Sequence, residues 1–262
     1  MTIEEVRKRV RAALRGENWR GVLKWEGRLE QLLLEGRSDA IRDCFLNTFK
    51  WAHEVASKST GSTHHAFAVV RLQDRRIEIL GNMERFRNQG EVMCEAAGYL
   101  VDAGKRQEAH AYFQRARDVG AAHGFFSVEC QACRGLGGLA MLEGCRKEGV
   151  DLLQNALVAS SLREDEDDTG MELTVLAQLT KALFQTHAID EVEPLVLRFR
   201  EAAEAESQKV GRVCYWELES LYVSARLLEV GNPSTPLLPC FHRSRQRLSQ
   251  IPHHQTEETC CR

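Results

Sequence analysis

Two stretches of this chain can be laid over each other at an offset of forty residues, and that register restricts the possible folds more than any other feature. Met93, Ala96-Ala97, Leu100, Gly104, Ala109, Phe113 and Ala116 return as Cys133, Leu136-Gly137, Ala140, Gly144, Gly149, Leu153 and Ala156. A period of this length marks a stack of like units, each too small to bury its own apolar face alone. Within each unit the apolar positions recur at three and four residues, the spacing of one helix face, and alternating strand patterns are absent. Each unit therefore reads as a helix pair. Small residues at Ala97 and Gly137 let the two helices cross closely. Those at Ala109 and Gly149 admit the facing helix, and Phe113 and Leu153 fill the space between them. Gly104 and Gly144 stand where the first helix must end and turn. A weaker third copy follows at Leu176, Leu179-Thr180, Leu183, Val192, Val196 and Phe199.

The helical spacing runs well beyond these copies. It predicts helices near 2–14, 17–35, 38–58, 63–87, 90–103, 105–120, 124–143, 145–161, 168–186, 188–206 and 208–230. Short links carry the turn residues: Arg15-Gly16-Glu17-Asn18, Ser59-Thr60-Gly61-Ser62, Asn88-Gln89-Gly90, Gly104 and Gly144. Links this short between helices this long imply antiparallel neighbours. With only five prolines in 262 residues, little in the chain breaks helix.

Charge and cysteine content exclude several classes of protein. A formal net charge of −3 is not that of a dedicated nucleic-acid binder, which carries a strongly basic face. Nine cysteines, scattered and odd in number, do not read as a disulfide framework. Met1–Arg20 carries charges throughout and lacks the apolar core of a secretory signal. We therefore expect a reducing, cytoplasmic compartment in which most cysteines act as small apolar fillers. No stretch approaches 18 uncharged apolar residues, so no transmembrane segment is expected.

Several motifs have a functional reading and a plainer one. Gly135-Leu136-Gly137-Gly138-Leu139-Ala140 fits the letters of a dinucleotide fingerprint, but that motif needs a preceding strand. Here it falls in mid-helix and reads as packing glycines. Cys130 and Cys133 share a helix face, yet no second ligand pair lies nearby for zinc. The run Glu164-Asp165-Glu166-Asp167-Asp168 lacks the alternate spacing and turning glycine of a calcium loop, and reads as a solvated loop or a contact for a basic partner. His64 and His65, adjacent on a helix, point about 100° apart and cannot chelate well as a pair. His253-His254 falls in the tail. Ile3, Val6, Val10 and Leu14 form an apolar stripe flanked by basic residues, either a membrane-surface helix or one packed on the next pair. Glu4 and Glu5 count against a transit peptide. Cys260-Cys261-Arg262 ends in an arginine that breaks both prenylation patterns. No arrangement of a hydrolase, zinc protease, P-loop or kinase is present, so neither catalysis nor a metal or cofactor is expected.

The repeat spacing resembles the tetratricopeptide (TPR) pattern, with Leu136-Gly137 and Ala109, Phe113 and Ala116 as its best matches. The intervals of 40 and then 43 residues differ from that family's usual 34 and resemble its longer-helix variant. The resemblance implies an all-α fold, a right-handed α-solenoid of antiparallel helix pairs. It covers roughly 90–206. Residues 1–87 are expected to be degenerate repeats or a helical cap, with Ala52, Val55-Ala56, Ala68 and Leu72 as an echo of the motif. Residues 88–230 hold the repeats and a C-terminal capping helix, and 231–262 read as a disordered tail.

In such a stack the first helix of each pair lines a concave groove. The family's groove positions fall on Glu91, Cys94, Gly98, Val101 and Asp102; on Gln131, Arg134, Gly138, Met141 and Leu142; and on Thr174, Ala177, Lys181, Phe184 and Gln185. The resemblance thus implies a non-catalytic scaffold or adaptor holding a protein or peptide partner, an extended segment or a helix, on a surface of mixed character. Two other functions stay open: a helical-repeat RNA-binding protein, which near-neutral charge and uneven period disfavour, and the regulatory sensor arm of a larger signalling assembly.

Overall fold

A computed structural model of the chain describes residues 3–26, 38–61, 63–162, 169–186, 189–210 and 215–230. The acidic run 164–168, the tail from 231, His253-His254 and Cys260-Cys261 lie outside them. Among the described residues every regular element is a helix: α1 (Ile3–Arg15), α2 (Trp19–Leu23), α3 (Asp39–Thr60), α4 (Thr63–Asn82), α5 (Phe86–Asp102), α6 (Arg106–His123), α7 (Phe126–Leu142), α8 (Arg146–Ser161), α9 (Thr169–Thr186), α10 (Ile189–Val210) and α11 (Tyr215–Val230). They form two compact units, Met1–Leu139 and Ala140–Arg262. In the first unit α2 packs on α1 and α3, and α3 to α6 pack successively as neighbours. In the second, α9 packs on α8, α10 and α11, and α10 on α11.

One turn chemistry recurs along the chain. A residue in the left-handed region follows the helix, and the next amide donates back five residues to a carbonyl of the last helical turn, which closes the helix end. Asn18 donates to Ala13, Arg85 to Leu80, Lys105 to Leu100, Phe125 to Gly120 and Cys145 to Ala140, at 2.8–2.9 Å. The left-handed residues are Glu17, Glu84, Gly104, Gly124 and Gly144. From Glu84 onward they return at every twentieth position, so the forty-residue period is two helix-plus-turn halves of equal length.

This corrects one expected link. Asn88-Gln89-Gly90 is not a turn but part of the first helical turns of α5; the chain turns at Met83–Arg85 instead. Glu84 adopts φ 56 without the glycine that usually marks such a site. Gly90 meets a different demand, since a Cβ built on it would lie 2.4 Å from Val128 Cγ1.

The repeat register and the core coincide. Met93, Ala96, Ala97, Leu100, Ala109, Phe113 and Ala116 are buried, as are Cys133, Leu136, Gly137, Ala140, Gly149, Leu153 and Ala156. The weaker copy is buried at every position as well, from Leu176 to Phe199. The fainter echo falls on a real helix pair: Ala52 and Ala56 on α3, with Ala68 and Leu72 on α4, are buried. At the N-terminus Val10 of the α1 stripe joins Val22, Phe45, Leu46, Phe49, Ala52 and Leu72 in one cluster, flanked by Trp19, Trp25 and Trp51. That stripe therefore packs at Val10 on the helices that follow.

Gly135 lies within α7, where a Cβ would meet the Phe113 ring at 2.4 Å. The dinucleotide-like run is therefore packed helix. Cys130 and Cys133 are buried thiols on the same helix, and burial raises the pKa of Cys133. Among the described residues no helix is long and apolar enough to cross a membrane.

Candidate functional site

The expected groove residues fall in both units. In the first, Glu91, Cys94, Val101 and Asp102 ride on α5, and Gln131 and Arg134 on α7. Asp102 is exposed, Glu91 and Val101 are partly so, and Cys94 is buried. The Cys94 thiol is pushed up to about 12, chiefly by burial, with the Arg134 charge pulling the other way and Glu91 adding to the rise. Those residues therefore share one neighbourhood. Glu91 also accepts from Arg87 Nε at 3.3 Å. Arg134 keeps a buried Nε with no hydrogen-bond partner, which is costly unless something completes it.

Two glycines define the open part of this surface. A Cβ placed on Gly98 of α5 or on Gly138 of α7 would meet nothing within 4 Å. They are equivalent positions, forty residues apart. Their neighbours Ala97 and Gly137 are buried. The register therefore separates, one residue apart, a face that packs from a face that does not. Gly138 is thus not a packing glycine like Gly135 of the same run: it stands at an expected groove position, beside open space.

The second unit carries the remainder. Leu142 is exposed and Met141 partly so. On α9, Phe184 is partly buried and Gln185 exposed, and the Gln185 carbonyl accepts from Arg146 Nη1 at 3.1 Å. Thr174 turns its hydroxyl back to the Gly170 carbonyl at 2.7 Å, a bond internal to the helix. Lys181 pairs with Glu219 of α11. Between them on α9, Gln178 has a buried Oε1 with no hydrogen-bond partner.

Sequence reasoning missed a polar network on α3 and α5. Lys50 Nζ lies 2.9 Å from Glu95 and 3.4 Å from Glu54. Glu95 also accepts from Gln73 at 2.7 Å, and Tyr99 donates its hydroxyl to Glu54. Tyr112 of α6 makes the matching bond to Asp74 of α4. Burial first, then the carboxylate partner, raises both phenols above their ordinary range. The signal was available in principle. Carried back 41 residues, the register that aligns Ala56 with Ala97 and Ala68 with Ala109 sets Lys50 at the position of Glu91 and Glu54 at that of Glu95.

Among the described residues no three His, Cys, Asp or Glu side chains converge to hold a metal ion. His65 is not paired with His64 as a chelate; its Nδ1 faces His53 Nδ1 at 2.9 Å.

No protein-family model matches this sequence, and no curated protein matches it. Solved structures do. A Podosopora anserina putative kinesin light chain with nearly identical TPR-like repeats shares 16% identity at a TM-score of 0.52, over 79% of this chain and 96% of that one. The apo form of RapI shares 12% identity at a TM-score of 0.66, over 91% of this chain and 61% of RapI. A Rap protein complexed with Competence and Sporulation Factor shares 12% at a TM-score of 0.54, over 94% and 69%. With the repeat register and its turns, these likenesses define the fold: the chain is a TPR-like helical-repeat protein. At such identities they define the fold alone.

Proposed function

We propose that this chain is a non-catalytic partner-binding module that receives a peptide or helix on the open faces of its repeats. The carrying observation is the pair Gly98 and Gly138, repeat-equivalent positions that each leave a backbone shelf uncovered. Arg134 supports the reading, because its partly exposed side chain brings a positive charge to this face, the kind of group a partner's carboxylate would pair with. Glu91, Asp102 and Arg134 give the first face mixed charge, while Leu142 and Phe184 give the second apolar contacts, a combination suited to a short segment with both kinds of side chain. A protein of this fold, the Rap protein, has been captured with a separate factor.

Gly98→Phe adds bulk where a side chain would meet open space, Arg134→Glu reverses the charge of this face, and Phe184→Asp removes an apolar contact on α9. Partners recovered from lysate by the wild-type chain should be lost or reduced at least tenfold by Gly98→Phe or Arg134→Glu, with helicity unchanged by circular dichroism. Equal recovery by wild type and all three variants would remove these faces from the function.

A further inference from the structure

The first unit holds a chain of three titratable groups that no partner-binding role uses. His53, on α3 and 5% exposed, presents Nε2 to Glu26 Oε2 at 2.9 Å and Nδ1 to His65 Nδ1 at 2.9 Å. Glu26 follows α2, and His65 stands near the start of α4. The three groups therefore link the N-terminal segment to the α3/α4 pair. The Trp19 ring of α2 meets His65 edge-on at 6.1 Å, which seats the same segment on the same histidine.

The geometry fixes the protons. An ionised Glu26 only accepts, so His53 Nε2 carries hydrogen. In neutral His53 the Nδ1 lone pair is then free, and His65 must donate from its own Nδ1. One added proton is tolerated. It can sit on the outer nitrogen of His65, or make His53 an imidazolium between Glu26 and His65. A second proton is not, because both facing Nδ1 atoms would carry hydrogen at 2.9 Å and two cations would be in contact.

We propose that this chain is a proton-operated latch: it holds α1 and α2 against α3 and α4 while the histidine pair carries at most one extra proton, and releases them when it carries two. The charged groups around it favour release in acid. His64 is adjacent on α4, its ring 5.7 Å from His65. Arg20 lies 5.0 Å over the Trp19 ring, the ring that meets His65. Glu26 is the counter-charge. Burial, then His53 and His64, lower the pKa of His65 against the opposing pull of Glu26.

Released, His65 takes up its proton in the ordinary histidine range near pH 6.5; latched, burial and the facing His53 hold its pKa lower. The latched form is therefore fully favoured above about pH 6.5 and loses stability as pH falls, by at most about tenfold in its opening equilibrium per pH unit. His65→Gln keeps a side-chain amide that can donate to His53 Nδ1 and cannot titrate. Its amide oxygen can equally accept from His53 Nδ1 once that nitrogen carries hydrogen, so His53 keeps its contact with Glu26 in either state and acid should not release the segment.

Amide hydrogen exchange of the full chain at pH 7.5, 6.5 and 5.5, corrected for intrinsic rates and run with and without a chelator, tests this. In the wild type, protection over 8–26 should fall about fivefold between pH 6.5 and 5.5, while protection over 90–116 stays within twofold. His65→Gln should hold the N-terminal protection within twofold over the same interval. Flat wild-type protection, an equal fall in His65→Gln, or a loss of protection caused by the chelator at pH 7.5 would each overturn the latch, the last by making the pair a metal site.

Discussion

Two junctions in the first unit join successive helix pairs by different means. Between α3/α4 and α5/α6 the links are polar side chains: Lys50 to Glu95, Tyr99 to Glu54, Tyr112 to Asp74 and Gln73 to Glu95. Between α5/α6 and α7 the helices approach until backbone and ring meet. Gly90 faces Val128, Gly120 lies against the Glu129 backbone, and Gly135 lies against the Phe113 ring. The first junction tolerates changes of volume because its partners are long and partly exposed. The second tolerates almost none, because close-packed interiors leave no room for a methyl group. The same stacking task is thus met once by reach and once by contact.

Substitutions can break this contrast, and the largest effect belongs to the contact junction. Phe113→Ala removes a buried ring that also fills the space beside Gly135, and should cost about 3–5 kcal/mol in urea denaturation. Gly120→Ala comes next. Its Cβ would lie 2.9 Å from the Glu129 amide nitrogen, and backbone moves at greater cost than a side-chain tip, so a loss of about 1–3 kcal/mol is expected. The polar junction should yield less. Tyr99→Phe and Tyr112→Phe each remove one bond to a carboxylate at a half-exposed site, and each should lower stability by about 1 kcal/mol or less. A loss above about 2 kcal/mol for either would place the polar junction on a par with the contact junction. The smallest shift is a gain, since Gly98→Ala adds a methyl in open space and removes helical glycine entropy, for about 0.5–1 kcal/mol of added stability.

The contact junction was the legible one. Its residues are the small and aromatic positions that recur at forty residues, because two helices can approach closely only where side chains are short, and that demand repeats with each pair. Gly104 and Gly144 announced their turns for the same reason. Glu84 did not, since it takes the left-handed conformation without glycine, and Gly90 misled by being a glycine needed for contact. The polar junction escaped because its partners lie 22 to 45 residues apart and fall outside the small and aromatic positions that carry the repeat. The His53–His65–Glu26 chain escaped likewise: nothing local marks histidines twelve positions apart as hydrogen-bonded. Of the expected groove residues, Gly98 and Gly138 stand beside open space, whereas Cys94 turns into the core.

Gly135 and Gly138 lie three residues apart on α7, one against an aromatic ring and one beside empty space. The proposed binding face depends on that difference. Urea denaturation of Gly135→Ala and Gly138→Ala, measured side by side, tests it most directly. Gly138→Ala should raise the midpoint, by about 0.5–1 kcal/mol, and Gly135→Ala should lower it by about 1 kcal/mol or more. Shifts of the same sign would contradict the register, and with it the open face on which partner binding rests.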